Sequence, residues 1–283
     1  MICNEISWVM SSLHEMSYAG NALFESFLDP SMNYSCGYWK DAKDLTEAQQ
    51  HKMDLIGRKL KLKPGMRVLD IGCGWGGLCK YLAEKHQVQV VGITVSKEGA
   101  KMAQERCAGL PVEIRVQDYR DLNEKFDRIV SVGMFEHVGR KNYRLFFEIA
   151  ERCLPKHGIF LLHTIGIDND EAPCTEPWTN KYIFPNGIIP HHKNIPEGAD
   201  NLFTIEDWHN FGADYDKTLM AWHSNFLNNW PKIEHLFENS QRFYRMWTYY
   251  LLAAAAFFRT RKFHLWQIVL SKKGIPGGYK SVR

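Results

Sequence analysis

The chain has 283 residues, 45% of them hydrophobic, and can therefore bury a substantial core as one large domain or as one domain with a lid. A formal net charge of only +3 provides no excess of cationic side chains for a phosphate backbone, so nucleic acid is excluded as an expected partner. The seven cysteines are scattered and form no CxxC pair, which argues against a disulfide framework and a structural zinc site and favours a reducing cytoplasm. We expect no bound metal.

The N-terminal residues predict helices that cap the core of a larger domain. Apolar side chains recur at helical spacing in two sets, Ile6, Val9, Met10 and Leu13, then Leu23, Phe24, Phe27 and Leu28. Asp29 and Pro30 end the second helix. A further helix is predicted over residues 46–62 with Thr46 as its N-cap, and residues 63–65 form a turn after it.

Residues 67–164 alternate between short runs rich in valine and isoleucine and amphipathic stretches. The predicted strands are 67–71, 88–93, 112–116, 126–132 and 158–164, and the predicted helices are 77–85, 97–107 and 142–153. Such alternation is typical of a parallel sheet with helices on both faces, in which ligands bind at the carboxyl ends of the strands. The sequence thus predicts an α/β fold with a Rossmann-like core.

After Ile165 the composition changes to Asp, Asn, Pro, Gly, His and Trp, and this irregular stretch continues to about Asn201. Pro190 and Pro196 argue against a regular helix in residues 188–198. The stretch therefore predicts a lid or an insertion.

The C-terminal part returns to regular patterning. It predicts a helix over residues 218–230 that is stopped by Pro231, a helix over 241–258 and a strand over 263–271. The apolar run at 247–258 is too short to span a bilayer.

Residues 68–77, of sequence VLDIGCGWGG, combine a buried strand with a glycine-rich turn that opens a helix. The glycines allow a tight turn and a close backbone approach to a ligand, and Asp70 at the strand end offers a carboxylate to a cationic amine. This pattern indicates an adenosine-cofactor site. Dinucleotide enzymes place an acid at the end of the second strand, and residues 92–96 contain none. With the Gln-Asp-Tyr triplet at 117–119, the pattern resembles S-adenosylmethionine-dependent methyltransferases.

Further motifs follow in order along the chain and narrow this resemblance. They are NYSCGYW at 33–39, FDRIVSVGMFEH at 126–137, LLHTIG at 161–166, KYIFPNG at 181–187, EDWHNFGADY at 206–215 and LWQIV at 265–269. Together they resemble the bacterial cyclopropane-fatty-acyl-phospholipid synthases and the related mycolic acid cyclopropane synthases over nearly the whole chain.

The resemblance implies a class I methyltransferase fold with a mostly parallel seven-stranded sheet. Residues 1–62 would form an N-terminal helical cap, and residues 63–283 the methyltransferase domain, with a lid at about 166–201 after strand five. The implied reaction adds the methyl carbon of S-adenosylmethionine as a methylene across a cis double bond of a phospholipid acyl chain. Such an enzyme would be cytoplasmic, transiently peripheral on the inner membrane surface, and compatible with a homodimer.

The family closes the ring by deprotonating a carbocation with bound bicarbonate. By resemblance, its ligands here are the side chains of Glu136, His163 and Tyr215 and main-chain groups of Cys36 and Ile165. Glu136 would orient the acidic hydrogen of the ion, while His163 and Tyr215 would donate hydrogen bonds to its oxygens. From the residues alone, a histidine like His163 is more often a core residue and an aromatic like Tyr215 more often packs, while Cys36 could be read as a nucleophile, although no basic partner adjoins it in sequence.

The resemblance also implies a set of residues that contact the methyl donor. They are Tyr34, Ser35, Val68, Asp70, Gly72, Gly74, Trp75, Gly76, Thr94, Ser96, Asp118, Tyr119 and Arg120. Trp75 would either contact the cofactor or pack under the following helix. Gly99 stands where the family commonly has a glutamine that reaches the ribose, which predicts a loss of on the order of 1 kcal/mol in cofactor affinity.

Several alternatives stay open at this point. Residues 247–258 would line an acyl tunnel or belong to the core, and the basic residues at 259–262 would meet lipid phosphate or only complement a helix end. The altered lid leaves room for a non-cyclising C- or N-methyltransferase on the same scaffold. Gly99 leaves room for a catalytically weak lipid-binding or partner subunit.

Overall fold

The computed structural model describes residues 14–168 and 177–283, and the helix predicted around Ile6 to Leu13 lies outside these ranges. Seven strands form one central sheet: β1 (Arg67–Ile71), β2 (Gln89–Thr94), β3 (Val112–Val116), β4 (Arg128–Val132), β5 (Ile159–Gly166), β6 (Thr204–Asn210) and β7 (His264–Ser271). Their order is β3-β2-β1-β4-β5-β7-β6. Strand β7 is antiparallel to both neighbours, while β1 to β5 pair in parallel. The mostly parallel sheet confirms the predicted α/β fold.

The central strands are apolar because helices cover both of their faces. Strands β1, β5 and β7 are buried along nearly their whole length. In the register of the sheet, Asp70 lies beside Gly92 of β2 and Val130 of β4. The last residues of β1, β2 and β4 therefore end at one edge, where the predicted ligand site lies.

Strand β6 was not among the strands predicted from periodicity. It is the edge strand beside β7, and most of its residues are exposed or half-buried. Polar residues occupy most of it, and a register shift between Ile205 and Asp207 interrupts the alternation. A pattern search based on apolar spacing therefore misses it.

Nine helices of four residues or more are present among the described residues. They are α1 (His14–Phe27, kinked at Gly20), α2 (Leu45–Lys59), α3 (Gly77–His86), α4 (Lys97–Arg106), α5 (Tyr143–Cys153), α6 (Pro177–Tyr182), α7 (Asn194–Ala199), α8 (Asp214–Ile233) and α9 (Ser240–Arg259). Apolar side chains of α2, α3 and α4 pack on one face of the sheet, and those of α5 and α7 pack on the other.

Three local predictions were wrong. Helix α2 begins one residue before Thr46, and Asp44 is its N-cap, since the Asp44 carboxylate accepts a hydrogen bond of 2.9 Å from the Glu47 amide. Helix α8 continues through Pro231 to Ile233, because a proline so near the helix end leaves few backbone hydrogen bonds to lose. Helix α7 forms although it contains Pro196, which lies in its first turn, where an amide has no helical partner.

Aromatic side chains of α1, α8 and α9 form a separate cluster above the carboxyl edge of the sheet. Phe27 of α1 contacts Trp222 of α8 and Trp247 of α9 at ring-centroid distances of 5.9 and 5.6 Å. The lid proposed for about 166–201, which includes α6 and α7, and the domain boundary at residue 62 stay predictions. No helix in the described part of the chain has the length and apolar character needed to cross a membrane.

Candidate active site

The loop between β1 and α3 has a backbone that glycine adopts at little cost. Gly72, Gly74 and Gly76 have φ values of 90°, 53° and 79°. A Cβ at Gly72 would lie 2.8 Å from the Cβ of Met134, so a side chain there would collide. Helix α3 begins after Gly76 without a side-chain cap, which leaves its first amides available to a ligand.

Asp70 lies buried at the end of β1, directly before this loop. Its Oδ2 accepts a hydrogen bond of 3.3 Å from Cys79 Sγ, and its Oδ1 has no protein partner among the described residues. Burial raises the pKa of Asp70 to about 7. A bound cationic amine would supply the missing partner and favour the carboxylate. Val68 lies inside β1, fully buried in the core, and its contact with the cofactor stays a prediction.

Thr94 and Ser96 lie at the carboxyl end of β2, beside the glycine loop. The Ser96 amide donates to Thr94 Oγ1 at 3.2 Å, and the Gly99 amide donates to Ser96 Oγ at 3.0 Å, so Ser96 caps α4. A Cβ at Gly99 would lie 3.3 Å from the carbonyl oxygen of Gly74. Position 99 thus directly adjoins the loop, although its glycine offers no side chain to a ligand.

The three residues after β3 complete the predicted cofactor edge. The Asp118 carboxylate accepts hydrogen bonds of 2.9 and 2.6 Å from the Arg120 guanidinium. Tyr119 is half-buried and contacts Phe146 edge-on at a centroid distance of 5.4 Å. Strands β1, β2 and β3 therefore bring these predicted residues to one edge, and their contact with a cofactor stays a prediction.

Trp75 packs against α1. Its Nε1 donates a hydrogen bond of 2.9 Å to Asn21 Oδ1, and its ring lies 4.8 Å from that of Phe24. The observed packing is against α1 and not under the following helix, and contact of Trp75 with the cofactor stays a prediction.

A cavity of about 160 Å³ opens between the ends of β4 and β5 and the helices α8 and α9. Much of its wall is apolar and includes Leu219, Ala253, Ala254, Phe257, Phe258 and Leu265. Its polar lining includes Tyr34, Ser35, Glu136, His163 and Tyr215. The sheet edge thus carries two adjacent regions, the glycine loop and this cavity.

Glu136 follows β4 and is buried against β5. Its Oε1 accepts a hydrogen bond of 2.7 Å from the Ile165 main-chain amide, while its Oε2 has no partner in the described part of the protein. Burial raises the pKa of Glu136, although the Ile165 amide opposes that shift. The Ile165 amide thus positions the carboxylate, whereas the predicted contact of Ile165 with bicarbonate stays a prediction.

His163 on β5 lies directly opposite Gln267 on β7. Both side chains are buried, and Gln267 Nε2 lies 3.2 Å from His163 Nδ1. Burial, together with the charges of Lys52 and Lys59, holds the pKa of His163 well below its usual value, so the imidazole is neutral. Its Nε2 has no described protein partner and His163 lines the cavity.

Tyr215 lies in the first turn of α8, and its ring stacks on that of Phe258 with the ring centroids 4.3 Å apart. Burial raises the pKa of Tyr215 well above its usual value, so the hydroxyl keeps its proton and can donate it. Tyr34 and Tyr250 share a hydrogen bond of 2.8 Å between their hydroxyl oxygens, which joins the loop of residues 33–36 to α9.

Cys36 is fully buried and does not line the cavity. Its Sγ lies 3.2 Å from the Gly37 carbonyl and 3.7 Å from Thr218 Oγ1, and burial raises the pKa of the thiol well above its usual value. A thiol in this state is a poor nucleophile. Any role of Cys36 in ligand binding would use its main chain.

Helix α9 divides into two faces. Tyr250, Ala253, Ala254, Phe257 and Phe258 line the cavity, whereas Trp247, Leu251 and Ala255 are buried against the aromatic cluster. The core alternative thus holds for the second set, while the role of the cavity-lining set as the wall of an acyl tunnel stays a prediction. Arg259 at its end pairs with Asp216 through two hydrogen bonds of 2.8 Å.

Sequence patterns did not identify three buried polar residues around the site. Gln267 contacts His163, and Gln49 and Lys52 of α2 hold the loop that carries Tyr34 and Ser35. Gln49 and Lys52 lie at ordinary helix positions outside the motifs, and Gln267 lies within the LWQIV motif, which supported the resemblance but assigned no role to this residue. In the described ranges, no group of three or more His, Cys, Asp or Glu side chains is arranged to hold a metal ion.

The sheet order, the glycine loop and the cavity at the carboxyl edge together define a class I methyltransferase. The family model described as mycolic acid cyclopropane synthetase matches residues 11–268, and the chain belongs to this family. It is an S-adenosylmethionine-dependent methyltransferase of the cyclopropane synthase type.

Named relatives and solved structures agree with this placement. A cyclopropane-fatty-acyl-phospholipid synthase of Escherichia coli (strain K12) is 56% identical over 277 residues, which cover 98% of this chain and 71% of the relative. Cyclopropane mycolic acid synthase 1 of Mycobacterium tuberculosis (strain CDC 1551 / Oshkosh) is 37% identical over 254 residues, 83% of this chain and 88% of the relative. The crystal structure of mycolic acid cyclopropane synthase CmaA1, complexed with SAH and CTAB, matches with a TM-score of 0.83 at 34% identity, over 90% of this chain and 95% of that one.

Proposed function

We propose that the protein adds a methylene group across a cis double bond in the acyl chain of a membrane phospholipid. The observation that carries the proposal is the cavity, in which an apolar wall from α8 and α9 faces Glu136, His163 and Tyr215. An apolar wall suits an alkyl chain, and a few convergent polar groups suit one small polar ligand. The named relative from Escherichia coli supports a phospholipid as the substrate.

The chain's residues fit both groups that such a reaction needs. The partnerless Oδ1 of Asp70 and the uncapped start of α3 fit the amine and nucleotide parts of S-adenosylmethionine, and the partnerless Glu136 Oε2 and His163 Nε2 fit a small oxyanion such as bicarbonate. When bound, S-adenosylmethionine supplies an electrophilic methyl group and bicarbonate supplies a weak base.

The protein's own contribution is alignment, exclusion of water and proton control. An alkene is a weak nucleophile, so Leu219, Ala254 and Phe257 would hold the double bond in place in a dry cavity. The faces of Tyr34 and Tyr215 would stabilise the carbocation that forms on the acyl chain. Glu136 would accept the acidic hydrogen of the oxyanion, and the neutral His163 would donate to one of its oxygens.

Phospholipid vesicles with cis-unsaturated chains test the proposal. After incubation with S-adenosylmethionine, we expect the acyl chains to gain one CH2 and the product to resist catalytic hydrogenation, as a ring does. A product that gains one CH2 and then takes up hydrogen would be a methyl-branched alkene and would support the non-cyclising alternative. No mass change, in protein that binds the cofactor, would reject the proposal.

The bicarbonate role and the membrane contact have separate tests. Activity in bicarbonate-depleted buffer should fall and should return on titration with bicarbonate, and Glu136→Gln should lose most of this response while still binding S-adenosylhomocysteine. Activity that is indifferent to bicarbonate would contradict the role.

Transient association with the inner membrane surface predicts that the protein cosediments with vesicles that contain the substrate lipid.

A further inference from the structure

Helix α2 carries a buried lysine beside the active site that has no carboxylate partner. The side chain of Lys52 is 1% exposed, and no described carboxylate forms an ion pair with it. Lys59, two turns later on the same helix, is equally buried but lies 3.9 Å from Asp207. An ammonium group removed from water costs several kcal/mol unless a negative charge compensates it. The two lysines are therefore equally buried and differ in whether a carboxylate compensates their charge.

The direct partners of Lys52 are neutral. Its Nζ donates hydrogen bonds of 2.8 Å to Ser35 Oγ and 3.1 Å to Asn33 Oδ1. Gln49, one turn earlier, donates to the Ser35 main-chain oxygen at 2.8 Å. Helix α2 thus holds the loop that carries Ser35 into the wall of the cavity.

Charges around Lys52 compensate it only in part. Burial lowers the pKa of Lys52 to about 8, and Asp29, Cys36 and Asp70 oppose that shift. The Asp29 carboxylate is already engaged by the Asn33 amide at 3.0 Å, and Asp70 has its own raised pKa. The positive charge is therefore left to act toward the cavity, where it also lowers the pKa of His163.

The Ser35 hydroxyl links this charge to the cavity. Because Ser35 Oγ accepts a hydrogen bond from Lys52 Nζ, its own hydrogen is free to point to another acceptor. Ser35 lines the cavity, so that acceptor would be a bound ligand. A hydroxyl polarised by an ammonium is a strong donor to an oxyanion.

We propose that Lys52 is a positioning residue for an oxyanion ligand, whose negative charge it compensates through the hydroxyl of Ser35. The inference rests on the proposed function, which brings two oxyanions to the site: the carboxylate of the methyl donor's amino acid part, and bicarbonate. Lys52 itself touches neither.

Calorimetric titration separates these two sources. S-adenosylhomocysteine carries the carboxylate, and 5′-methylthioadenosine is the same nucleoside without the amino acid part. If the methyl donor's carboxylate is the ligand, Lys52→Met should weaken S-adenosylhomocysteine binding by at least about tenfold and leave 5′-methylthioadenosine within about twofold. If bicarbonate is the ligand, both nucleosides should bind as in the wild type, and half-maximal activity should need at least about tenfold more bicarbonate.

Matched variants separate charge from folding. Lys52→Gln keeps a donor for Ser35 and removes only the charge, so it should reproduce the Lys52→Met result. Ser35→Ala should cause a similar loss, and the double variant should be no worse than Lys52→Met alone, because both act on one interaction. Lys59→Met removes an equally buried lysine and should leave ligand binding unchanged. Thermal unfolding without ligand verifies that each variant is folded.

Two results would overturn the inference. One is wild-type behaviour of Lys52→Gln toward both S-adenosylhomocysteine and bicarbonate. The other is an equal loss of both nucleosides, which would mean that the loop has collapsed and that no charge is involved. A wild-type protein that binds no S-adenosylhomocysteine would overturn the proposed function as well, whereas the first two results leave it standing.

Discussion

At the scale of single residues, the site consists of polar atoms whose partners the protein does not provide. Asp70 Oδ1, Glu136 Oε2 and His163 Nε2 are buried and have no partner among the described residues. A buried polar atom without a partner is costly unless a ligand or water satisfies it, so these three atoms, beside the glycine loop and the cavity, mark places where a ligand can bind. Whether each atom donates or accepts a hydrogen bond to a ligand depends on whether it carries a proton, and the neighbouring residues control that protonation.

Gln267 should control the proton of His163. Its amide nitrogen faces Nδ1, so Nδ1 must accept, and the single proton of the neutral ring lies on Nε2, toward the cavity. Gln267→Leu removes this preference, and we expect kcat to fall about tenfold. In Gln267→Glu the carboxylate would accept a hydrogen bond from Nδ1, which moves the ring proton to Nδ1 and reverses the tautomer. We expect kcat to fall further in this variant than in Gln267→Leu. Nitrogen NMR of His163 measures the tautomer directly, and S-adenosylhomocysteine affinity serves as the control. An unchanged tautomer in Gln267→Leu would contradict the assignment.

Asp70 should make cofactor affinity depend on pH. Its pKa is about 7 in the free protein, and a bound amine favours the ionised form, so below that value binding must expel a proton. Affinity for S-adenosylhomocysteine should therefore rise by about fivefold between pH 6 and 7, by about tenfold between pH 6 and 8, and level off above pH 8. Titrations in buffers of different ionisation enthalpy measure the released proton. Asp70→Asn should bind more weakly with a flat profile over this range, and a retained slope would assign the proton to another group.

The predictability of the site differs from residue to residue for a physical reason. Asp70 lies within a continuous motif, since a strand and its following turn are local in sequence. Glu136, His163 and Tyr215 were found only through the family resemblance, because their meeting depends on the pairing of distant strands and helices. Lys52 lies outside the motifs and Gln267 lies in one that assigned it no role, so the roles of both depend on which atoms lie within 3.2 Å of them in the fold.

At the scale of secondary structure, elements with strong apolar periodicity were predicted to within a few residues. Strand β3 has the predicted bounds, and β1 does as well. Strand β6 was missed because an edge strand needs no buried face, and α7 was missed because its proline lies where a helix tolerates one. Tertiary contacts, which periodicity does not encode, stabilise both elements.

The edge strand β6 depends on a buried charge pair with α2. Asp207 lies 3.9 Å from Lys59 and accepts a hydrogen bond of 2.8 Å from Arg283, while burial lowers the pKa of Lys59 to about 7. Asp207→Asn leaves Lys59 buried without compensation, and we expect the free energy of unfolding to fall by about 3 kcal/mol at pH 6.

This loss should shrink as the pH rises. Removing Asp207 lowers the pKa of Lys59 further. Below pH 7 the folded variant must therefore either carry an uncompensated charge on Lys59 or release its proton, whereas in the wild type Asp207 compensates that charge. Above pH 7 the folded forms of both proteins hold a neutral Lys59, and the difference should shrink by up to about 1.4 kcal/mol, to roughly 1.6 kcal/mol at pH 8.5. Urea unfolding at both pH values measures it. Arg283→Met, which removes only the more exposed partner, should cost less than about 1 kcal/mol at either pH. A pH-independent loss in Asp207→Asn would contradict the role of Lys59.

At the scale of the whole molecule, the proposed function assigns different ligands to the sheet edge and to the helical layer above it. The sheet edge carries the glycine loop, while α8 and α9 supply the apolar wall of the cavity, and the hydrogen bond between Tyr34 and Tyr250 joins the loop of residues 33–36 to α9. A change confined to the wall should therefore affect the lipid and spare the cofactor.

Ala254→Trp is the sharpest test of this division. A tryptophan at this position of the cavity wall would fill space that the acyl chain needs, and we expect kcat/KM for unsaturated phospholipid to fall about a hundredfold, because misplacing the double bond removes its alignment with the methyl group. Affinity for S-adenosylhomocysteine should stay within about twofold, since the glycine loop is untouched. Ala256→Trp, on the exposed face of the same helix, is the matched control and should leave both quantities near the wild-type values. If Ala254→Trp instead weakened the cofactor and the lipid equally, the cavity would belong to the cofactor, and the acyl chain would have to bind elsewhere.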